Sequence, residues 1–521
     1  MEASLDILKQ KENGIRVWMY VGLAISLVIS LIASITHEPW IDEIYAWQIS
    51  KFSFYDIFYE MRYEGHFMLW SLILYPFSHL NFPLKTIGCV SWLLNAIALF
   101  YFVRKSPFSS WIKVLVSFTV PFLYINPAIS RCYVLIPLFL FPMATLFCRI
   151  SKAREKKGNL QNDLILAGIL LALMANSHVY SEGFTLTYGF FLLWFVLCCW
   201  SRIPLKDRLK SVLGLGIAVI GGIVALVQVL PSFSYSSVFL ESPPLSIQSV
   251  MYLGGFLSVA GIKEPYMAIL IVIAFVVICG YLLRKDIRSL IFLITSNLYM
   301  GIICVFVYGI MVPNRAVMWF YFLIFSLWIT FDKIKQTPCA SNDALFKKKR
   351  LLDSLFFPSF MLAVVSSFLL QPEKNIFDFK YLYSGESRFA YYLKDMNLLS
   401  EEIYSNPNSW NCAIMEYVPE YQFFNIKDSK ILTPRGDRSE LDDENAEKYI
   451  KNIFEKNPQK NYIYVVDSDI FKGKTNFVQR NKLPYKYEVL YPSTTDQRSY
   501  FIQYFLLKIF RLNSDDVPME K

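Results

Sequence analysis

Apolar runs close to 20 residues long recur through the first 371 residues of this chain. A run of that length is what a helix needs to cross the hydrocarbon core of a bilayer. The whole chain is 55% hydrophobic and only 18% charged, which is too apolar for a soluble protein of 521 residues. The sequence therefore predicts a polytopic α-helical membrane protein.

Positive charge between the runs indicates the topology. Cytoplasmic loops carry an excess of Lys and Arg, and Lys9, Lys11 and Arg16 precede the first run, so we expect the N-terminus in the cytoplasm. The apolar piece at 67–80 is short, and counting it as a full span would put the later basic clusters outside. We predict about eleven full spans plus this one partial segment. The full spans are 17–35, 84–103, 110–124, 132–149, 163–176, 184–200, 211–230, 266–283, 289–311, 317–331 and 351–370.

Residues 372–521 differ from the rest because they are polar and carry no spanning run. Strand-like runs lie at 411–417, 462–467, 487–491 and 500–507, and helical patterns lie at 387–399 and 442–457. We predict a membrane domain over 1–371 and a C-terminal extracytoplasmic α/β domain over 372–521. This second domain has no glycine fingerprint for nucleotide binding.

Composition also argues against several classes of protein. The net charge of +9 is no sign of nucleic-acid binding, because the Lys and Arg residues lie mostly in short loops between apolar runs. The nine cysteines lie mostly inside apolar runs and show neither a disulfide framework nor zinc spacing. Four histidines without an H-x-x-x-H pair argue against a dedicated zinc site. A weakly held divalent cation on Asp42, Glu43 or Glu182 stays open.

The external loop at 36–66 is the candidate catalytic segment. It is rich in aromatic residues, which favour the membrane interface, and a short helix is predicted after Pro39. Asp42 and Glu43 fall in the first turn of that helix, where the helix dipole favours negative charge. A carboxylate in a partly dehydrated cleft can take the proton of an attacking hydroxyl. The same pair also suits a solvated helix cap.

Other polar residues lie near the outer ends of predicted spans, where charged groups face a cavity more often than lipid. Arg131 and Arg315 could hold a phosphate through planar, always-charged groups, or extend to the interface. His66 and His178 suit either hydrogen bonds to a phosphate or a structural place in the interface. The candidate set is Asp42, Glu43, His66, Arg131, Tyr133, His178, Tyr180, Glu182 and Arg315.

Four of these segments together carry a family resemblance. In chain order they are Asp42-Glu43, Gly65-His66-Phe67-Met68, Ser130-Arg131-Cys132-Tyr133-Val134-Leu135 and Ser177-His178-Val179-Tyr180. The set resembles the GT-C superfamily of membrane glycosyltransferases, in particular the protein O-mannosyltransferase, aminoarabinose transferase and Rgt-type branches. Those branches carry a G-H-P-P-like stretch, whose prolines are missing here. Residues 381–399 are similar to the start of the extracytoplasmic domain in some bacterial members.

The resemblance implies a transferase that takes a sugar from a polyprenyl-phosphate carrier and passes it to a glycan, lipid or protein acceptor at the outer face. Asp42 would be the general base and Glu43 would orient the acceptor or a neighbouring side chain. Arg131 and Arg315 would neutralise the leaving phosphate. His66, His178 and Tyr180 would contact the carrier phosphate or the sugar. Single displacement with inversion is expected, with the loop at 231–265 as a lid and the bacterial plasma membrane as the location.

Two other functions fit part of the pattern. A transporter or flippase for lipid-linked sugars would also place charges on the outer side, but it should carry ionisable residues at mid-bilayer, and these spans hold few. A polysaccharide polymerase or ligase should have key Arg and His residues in a large outer loop. The loop at 231–265 has Lys263 as its only basic residue.

Overall fold

The computed structural model of the protein describes most of the first 230 residues and several later segments. The described residues are 2–62, 67–156, 161–202, 205–230, 286–303, 313–336, 386–405, 413–426, 428–432, 462–467, 485–491 and 504–511, with a few isolated positions. The predicted spans at 266–283 and 351–370, the loop at 231–265 and most of the helical pattern at 442–457 lie outside these residues.

Helices make up most of the described chain. They are α1 (Glu2–Thr36), α2 (Ile41–Ser50), α3 (Phe54–Met61), α4 (Leu69–His79), α5 (Thr86–Lys105), α6 (Ser110–Ser117), α7 (Leu135–Lys156), α8 (Gln161–Ala175), α9 (Glu182–Cys199), α10 (Leu205–Val229), α11 (Ile287–Ile303), α12 (Pro313–Gln336) and α13 (Glu386–Asp395). Short 3₁₀ turns occur at Cys132–Val134, Val179–Ser181 and Trp200–Arg202, and a π-helical turn occurs at Pro121–Ile125.

Six helical stretches in the described residues are long and apolar enough to cross a membrane. They are Arg16–Thr36, Thr86–Lys105, Cys132–Lys152, Val179–Cys199, Arg208–Val229 and Val317–Lys335. Each coincides with a predicted span, and shorter apolar helices at Asn162–Ala175 and Ile287–Ile303 coincide with two more. The chain is therefore a polytopic membrane protein.

Two segments are shorter than a full span. The segment predicted as a span at 110–124 is not one helix, because α6 ends at Ser117 and a separate turn follows at Pro121–Ile125. Proline has no N–H to continue the α-helical pattern, so the helix breaks before Pro121. The partial segment predicted at 67–80 contains α4, an 11-residue helix with Pro76 inside it.

The chain divides into two compact units. The first comprises Met1–Ile35, Phe52–Pro76 and Gly88–Asn375, and the second comprises Thr36–Lys51, Phe77–Ile87 and Ile376–Lys521. The segment that carries Asp42 and Glu43 thus belongs to the same unit as the C-terminal residues.

The core of the first unit is aromatic. The rings of Phe147, Phe184, Phe292 and Phe325 lie with centroids 4.8–6.2 Å apart, mostly edge to face or tilted. Such pairs add to the stabilisation that burial alone gives. They join α7, α9, α11 and α12 into one bundle.

Small residues bring α8 and α10 into backbone contact. A Cβ added at Gly168 would lie 2.0 Å from the carbonyl oxygen of Gly214, and one added at Gly214 would lie 2.5 Å from that of Leu164. A Cβ at Gly221 would meet the Cβ of Ala172 at 2.3 Å. Close approach at small residues is the usual way in which helices pack inside membranes.

Gly214→Ala is therefore expected to destabilise the first unit. The added methyl would push α10 away from α8, and overpacking of this kind costs about 1–3 kcal/mol. We expect the detergent-solubilised protein to lose its monodisperse peak several degrees below wild type on heating. Gly216→Ala is the matched control, because a Cβ there meets nothing within 4 Å. Equal thermal stability of the two variants would contradict the packing described.

The second unit contains a five-stranded sheet in the order β2-β1-β3-β5-β4. The strands are β1 (Ile403–Ser405), β2 (Phe423–Asn425), β3 (Tyr462–Asp467), β4 (Tyr485–Tyr491) and β5 (Tyr504–Arg511). Strand β1 pairs parallel with β2 and β3, whereas β5 pairs antiparallel with β3 and β4. Phe389 and Leu393 of α13 pack with Ile403, Phe423 and Val465 of the sheet in one buried cluster.

Several secondary-structure elements predicted for residues 372–521 are confirmed. Strand β3 occupies the predicted 462–467, β4 begins two residues before the predicted 487–491, and α13 falls largely within 387–399. Strand β5 runs four residues beyond the predicted 500–507, because it continues as far as its pairing with β3 and β4 extends. The predicted strand at 411–417 is wrong where it is described. Residues 413–417 form a helical turn, in which the N–H groups of Glu416 and Tyr417 donate to the carbonyls of Ala413 and Ile414.

Candidate functional site

The two adjacent carboxylates that follow the first predicted span, Asp42 and Glu43, have different environments. Helix α2 begins at Ile41, so Asp42 and Glu43 occupy its first turn as predicted. Asp42 is half-buried, whereas Glu43 is fully buried. The helix dipole stabilises negative charge at both positions.

Glu43 stabilises the first turn of α2. Its Oε2 accepts a hydrogen bond of 3.0 Å from the backbone N–H of Trp40, the residue that caps the helix. The same oxygen lies 2.9 Å from Nε2 of the buried His37, which donates to it. Glu43 therefore fixes the turn into the helix, as the acidic partner of a capping box does, and Asp42 is the better placed of the two to meet a substrate.

The loop that carries Arg131 is anchored by buried amides. Asn126 follows the π-helical turn, and its Oδ1 accepts a 2.7 Å hydrogen bond from Tyr321 of α12. Its Nδ2 donates to Oδ1 of Asn95 at 3.1 Å, and its carbonyl accepts from Ser91 Oγ at 2.6 Å. Ser91, Asn95, Asn126 and Tyr321 are fully buried. A satisfied buried network of this kind is rigid, so the loop leading to Arg131 is held in place.

Arg131, Tyr133, His178 and Tyr180 form one stack. The Arg131 guanidinium carbon lies 5.8 Å from the centroid of the Tyr133 ring. That ring stacks on His178 at 5.1 Å, and His178 stacks on Tyr180 at 4.9 Å. The sequence placed all four at the outer ends of spans, and the structure brings their side chains together.

His178 is held as a neutral tautomer by its neighbours. Its Nδ1 accepts the backbone N–H of Tyr180 at 3.1 Å, which places the ring proton on Nε2. The one hydroxyl proton of Ser181 is shared between the carbonyl of His178, at 2.6 Å, and that of Met174, at 3.0 Å. These bonds fix the turn between α8 and α9, on which the His178 imidazole lies.

An apolar groove of about 720 Å³ begins directly after His178. Val179 and Leu193 of the same chain segment both line it, so it follows α9 for about 20 Å. Leu186 and Phe190 are each 67% exposed, which means that the groove is open along its side. Other parts of its wall come from Phe67, Leu171, Tyr299 and the apolar residues of α10 between Leu215 and Val229.

Glu182 is the acidic residue of this groove. Its Oε1 is buried and accepts no hydrogen bond from the described residues. Next to the groove residues Phe67 and Val229 in the sequence, Gln228 Oε1 accepts the backbone N–H of Met68 at 2.9 Å, and its Nε2 donates to Asn176 Oδ1 at 2.8 Å. The groove therefore has a polar end, at the His178 end of α9.

The remaining predicted residues are described less fully or not at all. His66 lies outside the described residues. Arg315 lies in the first turn of α12, but its side chain lies outside the described part. Asp42 and Glu43 belong to the second compact unit, and the residues of the stack belong to the first.

Sequence reasoning did not identify several residues that position the candidates. In the second unit His37 hydrogen-bonds Glu43, and in the first unit Asn95, Asn126 and Gln228 are buried side chains that hydrogen-bond the segments next to Arg131 and His178. A lone polar residue inside an apolar stretch, such as Asn95 or Gln228, is the one signal that could have indicated them. Among the described residues, no group of three or more His, Cys, Asp or Glu side chains is placed to hold a metal ion.

Comparison with known proteins adds no family assignment. No family model matches the chain, and no curated protein matches it in sequence. A function for the chain therefore rests on the geometry of the described residues.

Proposed function

We propose that this chain is a glycosyltransferase that moves a sugar from a polyprenyl-phosphate donor to an acceptor hydroxyl at the outer face of the membrane. The observation that carries the proposal is the apolar groove that begins beside the Arg131–His178 stack. A ligand for such a site needs a long apolar chain and an anionic head. A polyprenyl phosphate has both.

The groove suits an isoprenoid chain in shape and chemistry. It follows α9 for about 20 Å and is open along its side, so that a lipid could enter from the bilayer. Its wall is almost wholly apolar. Lipid is already an apolar solvent, so apolar contacts alone provide little selectivity, and the polar end of the groove must supply it.

Arg131 provides a positive charge that is joined through the Tyr133 ring to His178, the residue directly before the groove. A guanidinium is always charged and matches the planar arrangement of phosphate oxygens. Stacking against Tyr133 and the anchored loop at Asn126 hold its position before a ligand arrives. Such a group stabilises the charge that develops on the phosphate as the sugar departs.

Asp42 is assigned as the general base. In the reaction, the acceptor hydroxyl gives its proton to Asp42 while its oxygen attacks the anomeric carbon of the sugar. The new glycosidic bond forms as the bond between that carbon and the phosphate oxygen breaks, and the polyprenyl phosphate leaves with the electron pair. The attack from the opposite side inverts the configuration, and the phosphate is a good enough leaving group to need no strong acid.

Filling the groove tests the proposal. Gly222 lines the groove and a Cβ there meets nothing within 4 Å, so Gly222→Phe is expected to occupy space that the isoprenoid chain needs. Purified full-length protein would be labelled with a photoreactive polyprenyl phosphate, and we expect labelled peptides from α9 and α10. Labelling should fall several-fold in Gly222→Phe.

Gly216→Phe is the matched control, because it lies on the same helix in open space but away from the groove. It should label like wild type. A second arm with the uncharged polyprenol separates recognition of the phosphate from recognition of the chain. Equal labelling of both variants, or labelling confined to other helices, would contradict the proposal.

A further inference from the structure

One tyrosine of the second unit holds the residues that precede the Asp42 helix. The hydroxyl of Tyr417 lies 3.1 Å from Oε1 of Glu38 and 3.2 Å from the carbonyl oxygen of Pro39, and its one proton is shared between these two acceptors. Glu38 and Pro39 lie directly before Trp40, the cap of α2. The hydrogen bonds therefore fix the backbone a few residues ahead of Asp42.

Apolar packing supports the same helix from the same side. Ile41 and Ile44 of α2 are buried in one cluster with Ala413. Trp40, Leu84 and Tyr417 pack against this cluster. The face of α2 that carries Ile41 and Ile44 is therefore buried against the helical turn at 413–417.

Glu416, the residue before Tyr417, contacts the C-terminal end of α2. Its carboxylate pairs with Lys51, which caps the end of the helix. The Lys51 side chain is 43% exposed, and an ion pair this open to water contributes little. The Tyr417 contact, which is partly buried, is thus the stronger constraint, and it acts at the end that carries Asp42.

The charge around Tyr417 keeps it a donor. Burial and the neighbouring Glu38 raise the pKa of the Tyr417 phenol far above its usual value. The hydroxyl therefore stays protonated at neutral pH. Glu38 Oε2 is also paired with Lys85 at 3.4 Å, which helps to hold the acceptor carboxylate in position.

We infer that Tyr417 is a positioning residue for the reaction, which holds the start of α2 so that Asp42 meets the acceptor in one fixed orientation. The inference rests on the proposed role of Asp42 as the base. It gives the C-terminal part of the chain a specific task, which is to preorganise a catalytic segment nearly 400 residues earlier in the sequence. A displacement of about 1 Å at a catalytic group can cost about 100-fold in rate.

Hydrogen exchange of the purified full-length protein tests whether the Tyr417 hydroxyl holds the start of α2. Tyr417→Phe removes only the hydroxyl, and we expect the backbone amides of 41–50 to exchange about tenfold faster. Glu38→Gln weakens the same bond from the other partner and should act in the same direction. Tyr421→Phe is the control, because its hydroxyl bonds the carbonyl of Leu393 and not the segment before α2.

Sugar transfer in the native host then tests the positioning role. At matched membrane abundance, Tyr417→Phe should lower the turnover several-fold with little change in acceptor affinity, and Tyr421→Phe should behave like wild type. Unchanged exchange at 41–50, or faster exchange with full turnover, would overturn the inference even where Asp42→Asn is inactive. A fully active Asp42→Asn variant would instead overturn the proposed base, and with it the role that Tyr417 is given.

Discussion

Asp42→Asn is expected to reduce sugar transfer by about 10²–10⁴-fold, which is the contribution that a positioned general base makes. The substitution keeps the size of the side chain but removes its ability to accept a proton at neutral pH. Glu43, the neighbouring carboxylate, is occupied by His37 and the Trp40 N–H and should not substitute for it. The measurement is the rate of sugar incorporation into the envelope glycans of the native host, with membrane abundance determined in parallel.

Asp56→Asn is the matched control for this substitution. Asp56 also lies in the first turn of a helix, α3, where its Oδ2 accepts a 2.7 Å hydrogen bond from Ser53. Loss of that carboxylate should affect local stability slightly and transfer hardly at all. If both variants lose transfer equally, the effect is one of loop structure, and Asp42 is not the base.

Arg131→Gln is expected to lower transfer by about 10²–10³-fold, the usual effect of removing a group that stabilises developing charge. The glutamine can still pack on Tyr133, so the loss is mainly that of the charge. Arg131→Lys should recover only part of the rate, because an ammonium cannot reproduce the planar fork of a guanidinium. Labelling by a photoreactive polyprenyl phosphate should fall together with the rate.

Arg149→Gln is the control for the loss of a positive charge, because Arg149 lies on α7, the helix that follows Arg131. Arg149 lies towards the other end of α7 and pairs with Asp163 at 2.8 Å, with a mostly exposed side chain. We expect this variant to transfer sugar at the wild-type rate. Equal losses in Arg131→Gln and Arg149→Gln would mean that net positive charge, and not a phosphate contact at Arg131, supports the reaction.

Local patterns predicted the parts of the fold that local physics determines. A spanning helix needs only a sufficient run of apolar residues, so six predicted spans coincide with long apolar helices. Strand β3 was predicted to the residue, because its alternating aromatic and β-branched residues suit a strand in any context. The break at Pro121 was not predicted, because the span at 110–124 was assigned from hydropathy. Hydropathy measures how apolar the side chains are and does not register the missing backbone N–H of a proline.

Long-range contacts account for most of what the sequence did not predict. Strands β1 and β2 have three residues each and gain their structure from parallel pairing, which no short window reveals. Residues 413–417 are mostly apolar, which favoured a strand, but Ile414 packs into the sheet core while Tyr417 reaches Glu38, 379 residues earlier. The stack of Arg131, Tyr133 and His178 joins residues of separate motifs only after α7 and α9 have packed.

The most direct test of the central claim is to quantify the lipid-linked sugar and the envelope glycan together in the native host. Wild type, a deletion strain and the Asp42→Asn strain would be compared by mass spectrometry at matched growth. A transferase predicts that the deletion and Asp42→Asn strains lose the same sugar from the glycan and accumulate it on polyprenyl phosphate. Unchanged glycan with normal lipid-linked sugar in Asp42→Asn would contradict the proposed transferase and favour a transport or scaffolding role for the chain.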